Sequence, residues 1–227
     1  MKSTLIWIGA YLYGSIPFID MLARMRSVNL KDVGSGNVGA TNLMSVGGAR
    51  LAIIGWLVDA SKGLLPVVAA RRLGLSSSAA GLAGVSGAVG QCWPVTLGFS
   101  GGRGVSAFIG ASYAIDRRCW LVSLLPFIIG SLWRVAPTLI AAGPGLAEEL
   151  RAHRSRSVPF GSLLGVLAFP VCMWLFGRRP LKPALLLAAV ILVRRVTAPL
   201  PDDVVEGPTE ESRALVYRLL YDRNTAA

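Results

Sequence analysis

The sequence predicts an all-α fold, a polytopic transmembrane helix bundle of about seven spans. Three observations carry that expectation. Of 227 residues, 53% are hydrophobic and only 15% are charged, whereas a soluble domain carries about a quarter charged residues. Residues 3–19, 73–102 and 157–177 contain no Asp, Glu, Lys, Arg or His, and crossing the hydrocarbon core takes roughly 20 mostly apolar residues. The runs are rich in Leu, Ala and Gly without barrel-strand alternation, and a helix satisfies its own backbone in lipid. An ordinary soluble enzyme, a disordered chain and a disulfide scaffold are all excluded.

In chain order, the apolar segments lie near 4–22, 51–70, 78–98, 104–115, 119–142, 158–177 and 182–194. The first starts Met-Lys-Ser but has no Ala-x-Ala-like cleavage site, so it reads as an uncleaved span. The third is dense in small residues, Ser78 to Gly90, which lets helices approach closely. The fourth and seventh are short, so one of them tilts or runs on into a loop. Residues 1–195 form one transmembrane domain and 196–227 a polar tail. Within the tail, Ser212–Tyr221 fits a short surface helix with Leu215, Leu219 and Leu220 on one side.

The net charge of +11 comes from short clusters between spans, such as Arg71-Arg72, Arg117-Arg118 and Arg178-Arg179. No nucleic-acid-binding signature accompanies them, so lipid head groups or anionic substrates are the expected partners, not nucleic acid. Lys and Arg near the span ends divide ten to eight between the two faces, too even to set orientation. Cys92, Cys119 and Cys172 have no metal-ligand spacing and read as small core residues. His153 is the only histidine, which excludes a metal site built on several histidines. An H-x-x-x-x-D pair is not formed either, because residue 158 is Val.

The strongest local feature is Gly34-Ser35-Gly36-Asn37-Val38-Gly39-Ala40-Thr41-Asn42. It contains G-x-G-x-x-G, and Asp59 follows Gly39 by 20 residues. A dinucleotide fingerprint needs a strand before it and a parallel sheet. Here apolar spans flank it, and that reading fails. What survives is a concave set of backbone N–H groups with Ser35, Asn37, Thr41 and Asn42 as added donors, suited to a phosphate or another oxyanion. The plainer alternative is a glycine-rich connector. A second segment, Gly101-Gly102-Arg103-Gly104, lies two crossings further on and so shares a membrane face with the first. There, glycines and a guanidinium can approach a phosphate together.

Asp59 and Lys62 stand i, i+3 inside the second span and so share a helix face. Ionisable groups there are functional candidates by default, and a neutralised pair ordering the bundle is the equal alternative. Arg134, in the fifth span, reads as snorkelling to an interface. The cluster Arg151 to Arg156 precedes span six, where Ser162 lies near the start.

Gly34 to Asn42 and Gly101-Gly-Arg-Gly-Val105 resemble the first two motifs of the bacterial acyl-phosphate-dependent glycerol-3-phosphate acyltransferases. Supporting matches are Tyr13-Gly-Ser-Ile-Pro-Phe18, Asp59-Ala-Ser-Lys-Gly63, Pro94, Leu97-Gly-Phe99 and Ser155-Arg156 with Ser162. The resemblance implies seven spans in the cell (inner) membrane with the glycine loops facing the cytoplasm. It implies acyl transfer from acyl phosphate to the 1-hydroxyl of sn-glycerol 3-phosphate, without a cofactor, giving lysophosphatidate and phosphate. The catalytic candidates are then Ser35, Arg103, Lys62, Asp59 and Ser162. The phosphate-binding candidates are Gly34, Gly36, Asn37, Gly39, Thr41, Asn42, Gly101, Gly102, Gly104 and Arg156. The sequence departs from the family pattern at Arg103 (Lys in the family), Ser45 (Arg) and Gln91 (His). The closing motif departs too, reading Arg194-Arg195-Val196-Thr197-Ala198-Pro199 where the family has an Arg-His pair followed by Asn. A non-catalytic paralogue that binds lipid precursors, and a transporter of an anionic metabolite, stand as the alternatives.

Overall fold

The structure, a computed structural model, describes residues 1–30, 32–33, 39–140 and 157–197. Its described elements are α1 (Lys2–Gly14), α2 (Phe18–Arg24), α3 (Ala40–Arg72), α4 (Ser77–Cys92), a short 3-10 turn (Val95–Leu97), α5 (Val105–Ile115), α6 (Arg117–Ile140), α7 (Ser157–Leu175) and α8 (Leu181–Thr197). Each apolar segment expected from the sequence is mainly helical within the described residues. Lys2–Arg24, Gly47–Arg72 and Val158–Leu175 are long and apolar enough to cross a membrane on length and composition alone. Exposed Leu5, Ile8, Ile53, Leu57, Leu125, Ile129 and Trp174 ring the outside, while Asp59, Lys62, Gln91, Arg194 and Arg195 are buried inside. Apolar outside and polar inside is the arrangement of a multi-pass membrane protein.

Element ends follow local chemistry. The first span is broken where a single helix was expected, because Pro17 lacks an N–H and its ring disfavours the helical conformation at Ile16. Pro94 likewise stops α4 at Cys92, six residues short of the expected limit at 98. In α3 the break falls at Gly48, whose φ of 73° and ψ of 175° are not helical. The span proper therefore starts beside Gly47, and Ala40–Gly47 is a separate approach from the first glycine segment. Of the polar tail expected at 196–227, Val196 and Thr197 belong to α8; the rest, with the expected Ser212–Tyr221 helix, lies outside the described residues.

Glycines set the packing at the centre, as the small-residue reading of the third span anticipates. A Cβ on Gly87 of α4 would meet the backbone oxygen of Lys62 in α3, and one on Gly14 would meet the backbone of Gly87. Between α3 and α5 a Cβ on Gly63 would meet the Ala107 oxygen, and one on Gly110 the Ala60 oxygen. Helices α1, α3, α4 and α5 thus touch backbone to backbone. Beside them, α6, α7 and α8 close round Phe108, Phe169, Met173, Leu187 and Ile191, all fully buried, with Phe108 edge-on to Phe169 at 5.9 Å between ring centres. Cys92, Cys119 and Cys172 are buried free thiols within this packing.

At the bundle end opposite the Gly101–Gly104 segment, charged side chains tie the helix ends. Arg71 donates to the Ala114 and Ile115 oxygens at 2.6 and 3.3 Å. Asp116, at the junction of α5 and α6, accepts from the Arg118 and Cys119 amides, both at 3.0 Å. Its other oxygen takes Arg178 Nε at 2.8 Å. Burial pushes the Asp116 pKa up, but the Cys119 amide, the Arg178 guanidinium and the Arg118 amide together outweigh it and hold the carboxyl below its ordinary value.

Two predictions follow from this packing. Gly87→Val drives a methyl into the Lys62 carbonyl, and the expected loss is about 3 kcal/mol, at the upper end for overpacking, read as thermal unfolding in detergent. Asp116 is ionised more readily folded than unfolded, so its contribution is present above the usual carboxylate pKa near ~3.9 and lost as pH falls through the lower folded value. Asp116→Asn is therefore expected to unfold at lower temperature than wild type at pH 7, and the difference is expected to shrink below about pH 4.

Candidate active site

The second glycine segment lies between two short helices. Helix α4 has 16 residues and α5 has 11, which at about 1.5 Å per residue gives roughly 24 and 17 Å against about 30 Å of hydrocarbon. The segment between these two short helices is Trp93 to Gly104. It is pinned from both sides. Tyr11 Oη donates to the Trp93 oxygen at 3.0 Å, Thr96 Oγ1 donates to the Ser15 oxygen, and the Gly102 amide donates to the Gln91 oxygen at 3.1 Å.

Against this loop opens a small cleft lined by Gly14, Ser15, Ile16, Pro17, Ile19, Asp59, Lys62, Gln91, Pro94, Leu97, Gly101 and Gly102. At its base Lys62 Nζ lies 2.8 Å from Asp59 Oδ1, with side-chain exposures of 4% and 5%. Gln91 Nε2 donates to Asp59 Oδ2 at 2.6 Å, and Gln91 Oε1 accepts from the Ala107 amide at 3.3 Å. The cation also stands 5.7 Å from the ring centre of Phe18. Ser61, next to Lys62, donates to the Val58 oxygen at 2.6 Å. Its hydroxyl proton is thereby committed, so Tyr13 Oη donates to it across their 2.7 Å contact and ties α1 to α3.

The structure brings together Asp59, Lys62, Gly101 and Gly102 among the residues expected from sequence. Arg103 and Gly104 follow directly in the loop. Gly104 is the N-cap of α5 with φ of 78°, and a Cβ there would sit 2.5 Å from Cys92 Sγ, so both its conformation and its space ask for glycine. Gly39 is the N-cap of α3, and its oxygen accepts from the amides of Asn42 and Leu43. Asn42 is buried and donates to the Leu30 and Val33 oxygens, both at 2.9 Å, stapling the approach to the first glycine segment. Ser162 is not in the cleft lining; it stands in the first turns of α7, bonded to Pro159 and Arg195. Gly34, Ser35, Gly36, Asn37 and Arg156 lie outside the described residues, as do His153 and the side chains of Thr41, Ser45 and Arg134.

The sequence reading did not place Gln91 in this site, although it noted the departure from histidine there. The available signal was that Gln91 is the one amide side chain in the charge-free run 73–102. Arg194 and Arg195, on the last turn of α8, are likewise closer to the loops than their position after the final span suggests. Arg194 donates to the Gly101 and Gly102 oxygens at 2.6 and 3.0 Å and lies 5.7 Å over the Trp93 ring.

Lipid-facing helices around a cation-bearing cleft of glycine backbone define a class, an integral membrane protein with a polar site at one end of its bundle. The particular family comes from comparison: the glycerol-3-phosphate acyltransferase family matches residues 4–198, and the chain belongs to it. A relative from Jannaschia sp., named glycerol-3-phosphate acyltransferase, is 45% identical over 168 residues, 70% of this chain and 80% of its own. One of the same name from Dinoroseobacter shibae is 34% identical over 178 residues, 78% and 77% of the two chains. Among solved structures, PlsY, an integral membrane glycerol 3-phosphate acyltransferase, is similar in its glycerol 3-phosphate form. The TM-score is 0.71 at 28% identity, covering 86% of this chain and 88% of that one. Its lysophosphatidic acid form gives a TM-score of 0.68 at 26% identity.

Removing one member of the buried pair leaves the charge of the other uncompensated, at a cost of about 3–5 kcal/mol. Lys62→Met is therefore expected to lose most of its folded yield by size-exclusion in detergent, and Lys62→Met combined with Asp59→Asn to regain much of it.

Proposed function

We propose that this chain transfers a fatty acyl group from acyl phosphate to the 1-hydroxyl of sn-glycerol 3-phosphate, giving lysophosphatidate and inorganic phosphate. The observation that carries the reading is the cleft itself: a buried Lys62 held by Asp59, facing the Gly101–Gly102 backbone, in a chain of this family. Both substrates are phosphates, and both have an apolar or uncharged end that must meet the other. A site open to one membrane face lets the acyl tail lie among helices while the phosphates stay at the polar end.

The chemistry asks little of a side-chain base. Acyl phosphate is a mixed anhydride with a good leaving group. The substrate hydroxyl oxygen bonds to the carbonyl carbon, the bond from that carbon to the phosphate oxygen breaks, and phosphate departs with the electron pair, the hydroxyl proton ending on it. Positioning and charge neutralisation supply the rate. In this reading Ser35, Asn37 and Thr41, with the amides of Gly34, Gly36 and Gly39, hold one phosphate. Arg103 neutralises the other beside Gly101, Gly102 and Gly104, with Arg156 near the same face. Lys62 and Asp59 orient the nucleophilic end, and Ser162 accepts a hydrogen bond there.

The test is phosphate release from palmitoyl phosphate by purified protein, with and without glycerol 3-phosphate. Release that depends on glycerol 3-phosphate is expected. Folded protein that binds either substrate without such release would make the chain a non-catalytic member. Arg103→Ala is expected to reduce turnover by about 10²-fold or more, as removal of a transition-state charge partner does, while its thermal unfolding stays near wild type; unchanged turnover would remove this arginine from the reaction.

A further inference from the structure

Cys119 of α6 and Cys172 of α7 are buried and have no part in the chemistry described above. Both belong to the packed cluster around Phe108 and Phe169, and within it their thiols lie in hydrogen-bonding reach of one another. The third cysteine, Cys92, stands apart from them: it ends α4 and packs against Gly104, at the second glycine loop.

The helices that carry the pair run antiparallel and are held together on both sides of it. Before Cys119 in α6 comes Asp116, and after Cys172 in α7 comes Arg178; these two side chains meet at 2.8 Å. The Cys119 amide also donates to Asp116, at 3.0 Å. On the other side, one turn after Cys119 and two turns before Cys172, a Cβ on Gly165 would strike the Ser123 oxygen and the Phe127 ring. One on Gly161 would strike the Pro126 oxygen. A disulfide asks for Cα atoms about 4.4–6.8 Å apart, a spacing that helices reach only in such close contact. Here the contact is fixed above and below the two thiols.

We propose that Cys119 and Cys172 are an oxidisable dithiol, a site at which a disulfide staples α6 to α7 at the bundle end opposite the Gly101–Gly104 segment. In the reaction two S–H bonds break and one S–S bond forms, and a two-electron oxidant leaves with both hydrogens. An azo compound takes them up at its N=N unit and becomes a hydrazine; a disulfide oxidant exchanges through a mixed disulfide and leaves as two thiols. The way in is apolar. Val171 and Trp174, on either side of Cys172 and Met173, face outward, so a small neutral oxidant reaches the pair from the lipid or the micelle. No cleft-lining residue belongs to α6 or α7, and the proposal stands independently of the acyltransferase reading. The staple acts on stability, by removing freedom from the unfolded chain.

The experiment treats the wild-type full chain in micelles with diamide, a small neutral azo oxidant, then unfolds, alkylates and digests it with trypsin. Trypsin cuts after Arg118, Arg134, Arg156 and Arg178. Residues 119–134 and 157–178 are expected in the mass spectrum as one disulfide-linked peptide that dithiothreitol separates, with Cys92 alkylated. The oxidised protein is expected to unfold about 5 °C or more above the reduced one, and to return to the lower midpoint on reduction. In Cys119→Ser, both the linked peptide and the shift in midpoint are expected to vanish. Two separate alkylated peptides after diamide would overturn the proposal, as would a link that includes Cys92 or one that joins two chains on a non-reducing gel. An oxidised protein that unfolds no later than the reduced one, or a shift that persists in Cys119→Ser, would overturn it as well.

Discussion

A charge inside a hydrocarbon-spanning bundle is stable only where its partners are fixed in advance, and Lys62 with Asp59 imposes that condition on everything around it. Their carboxylate–ammonium contact at 2.8 Å leaves Asp59 Oδ2 to be satisfied, which brings Gln91 across from α4. Gln91 then reaches α5 through the Ala107 amide. For one glutamine to span from α3 to α5, the three helices must lie unusually close. The glycines at 63, 84, 87 and 110 allow this, because any Cβ there would strike a neighbouring helix. Close backbone packing and the buried pair therefore require each other. Bulkier residues would separate the helices and strand the carboxylate, a costly state in low dielectric.

The same packing holds the second glycine loop. Pro94 ends α4 and Gly104 begins α5, and the loop between them is bonded to α1, to Ser15 and to α4 through Trp93, Thr96 and Gly102. Left alone, such a loop would expose carbonyls to an apolar surrounding. Arg194 answers two of them, those of Gly101 and Gly102, from the far end of the chain. The final helix is thus part of the loop's support. It contributes at residues 194 and 195 what a local turn cannot, cationic donors placed from outside the segment.

The spans were legible because lipid demands long charge-free stretches, and those stand out in sequence without any knowledge of contacts. Helix α5 was expected at 104–115 and runs from Val105 to Ile115. The Asp59–Lys62 pairing was legible too, since i, i+3 spacing fixes a shared face. Where expectation and structure part, the causes are local breakers. Pro17 splits the first span and Pro94 ends the third short of its expected limit, and both residues were available to a stricter reading. What no local pattern encodes is which polar groups meet across the bundle. Gln91 is 32 residues from Asp59 and Arg195 is 33 from Ser162; periodicity can say that each is on an inward face, not that the two faces meet.

That distinction bears on how the chain's departures from its family pattern are to be weighed. Arg195 and Gln91 both stand where the family pattern has histidine, and side by side in sequence they look like two losses. In space each is tied into the network. Gln91 supplies a donor to Asp59 and an acceptor to Ala107 at once, which a neutral imidazole with one N–H and one free nitrogen also does. Arg195 supplies two donors from one nitrogen to neighbouring oxygens. Neither can titrate between pH 5 and 8 as histidine does. A site of this composition keeps hydrogen-bonding capacity and gives up a titrating group, an exchange that suits a reaction whose leaving group is already good and whose rate comes from holding charges in place.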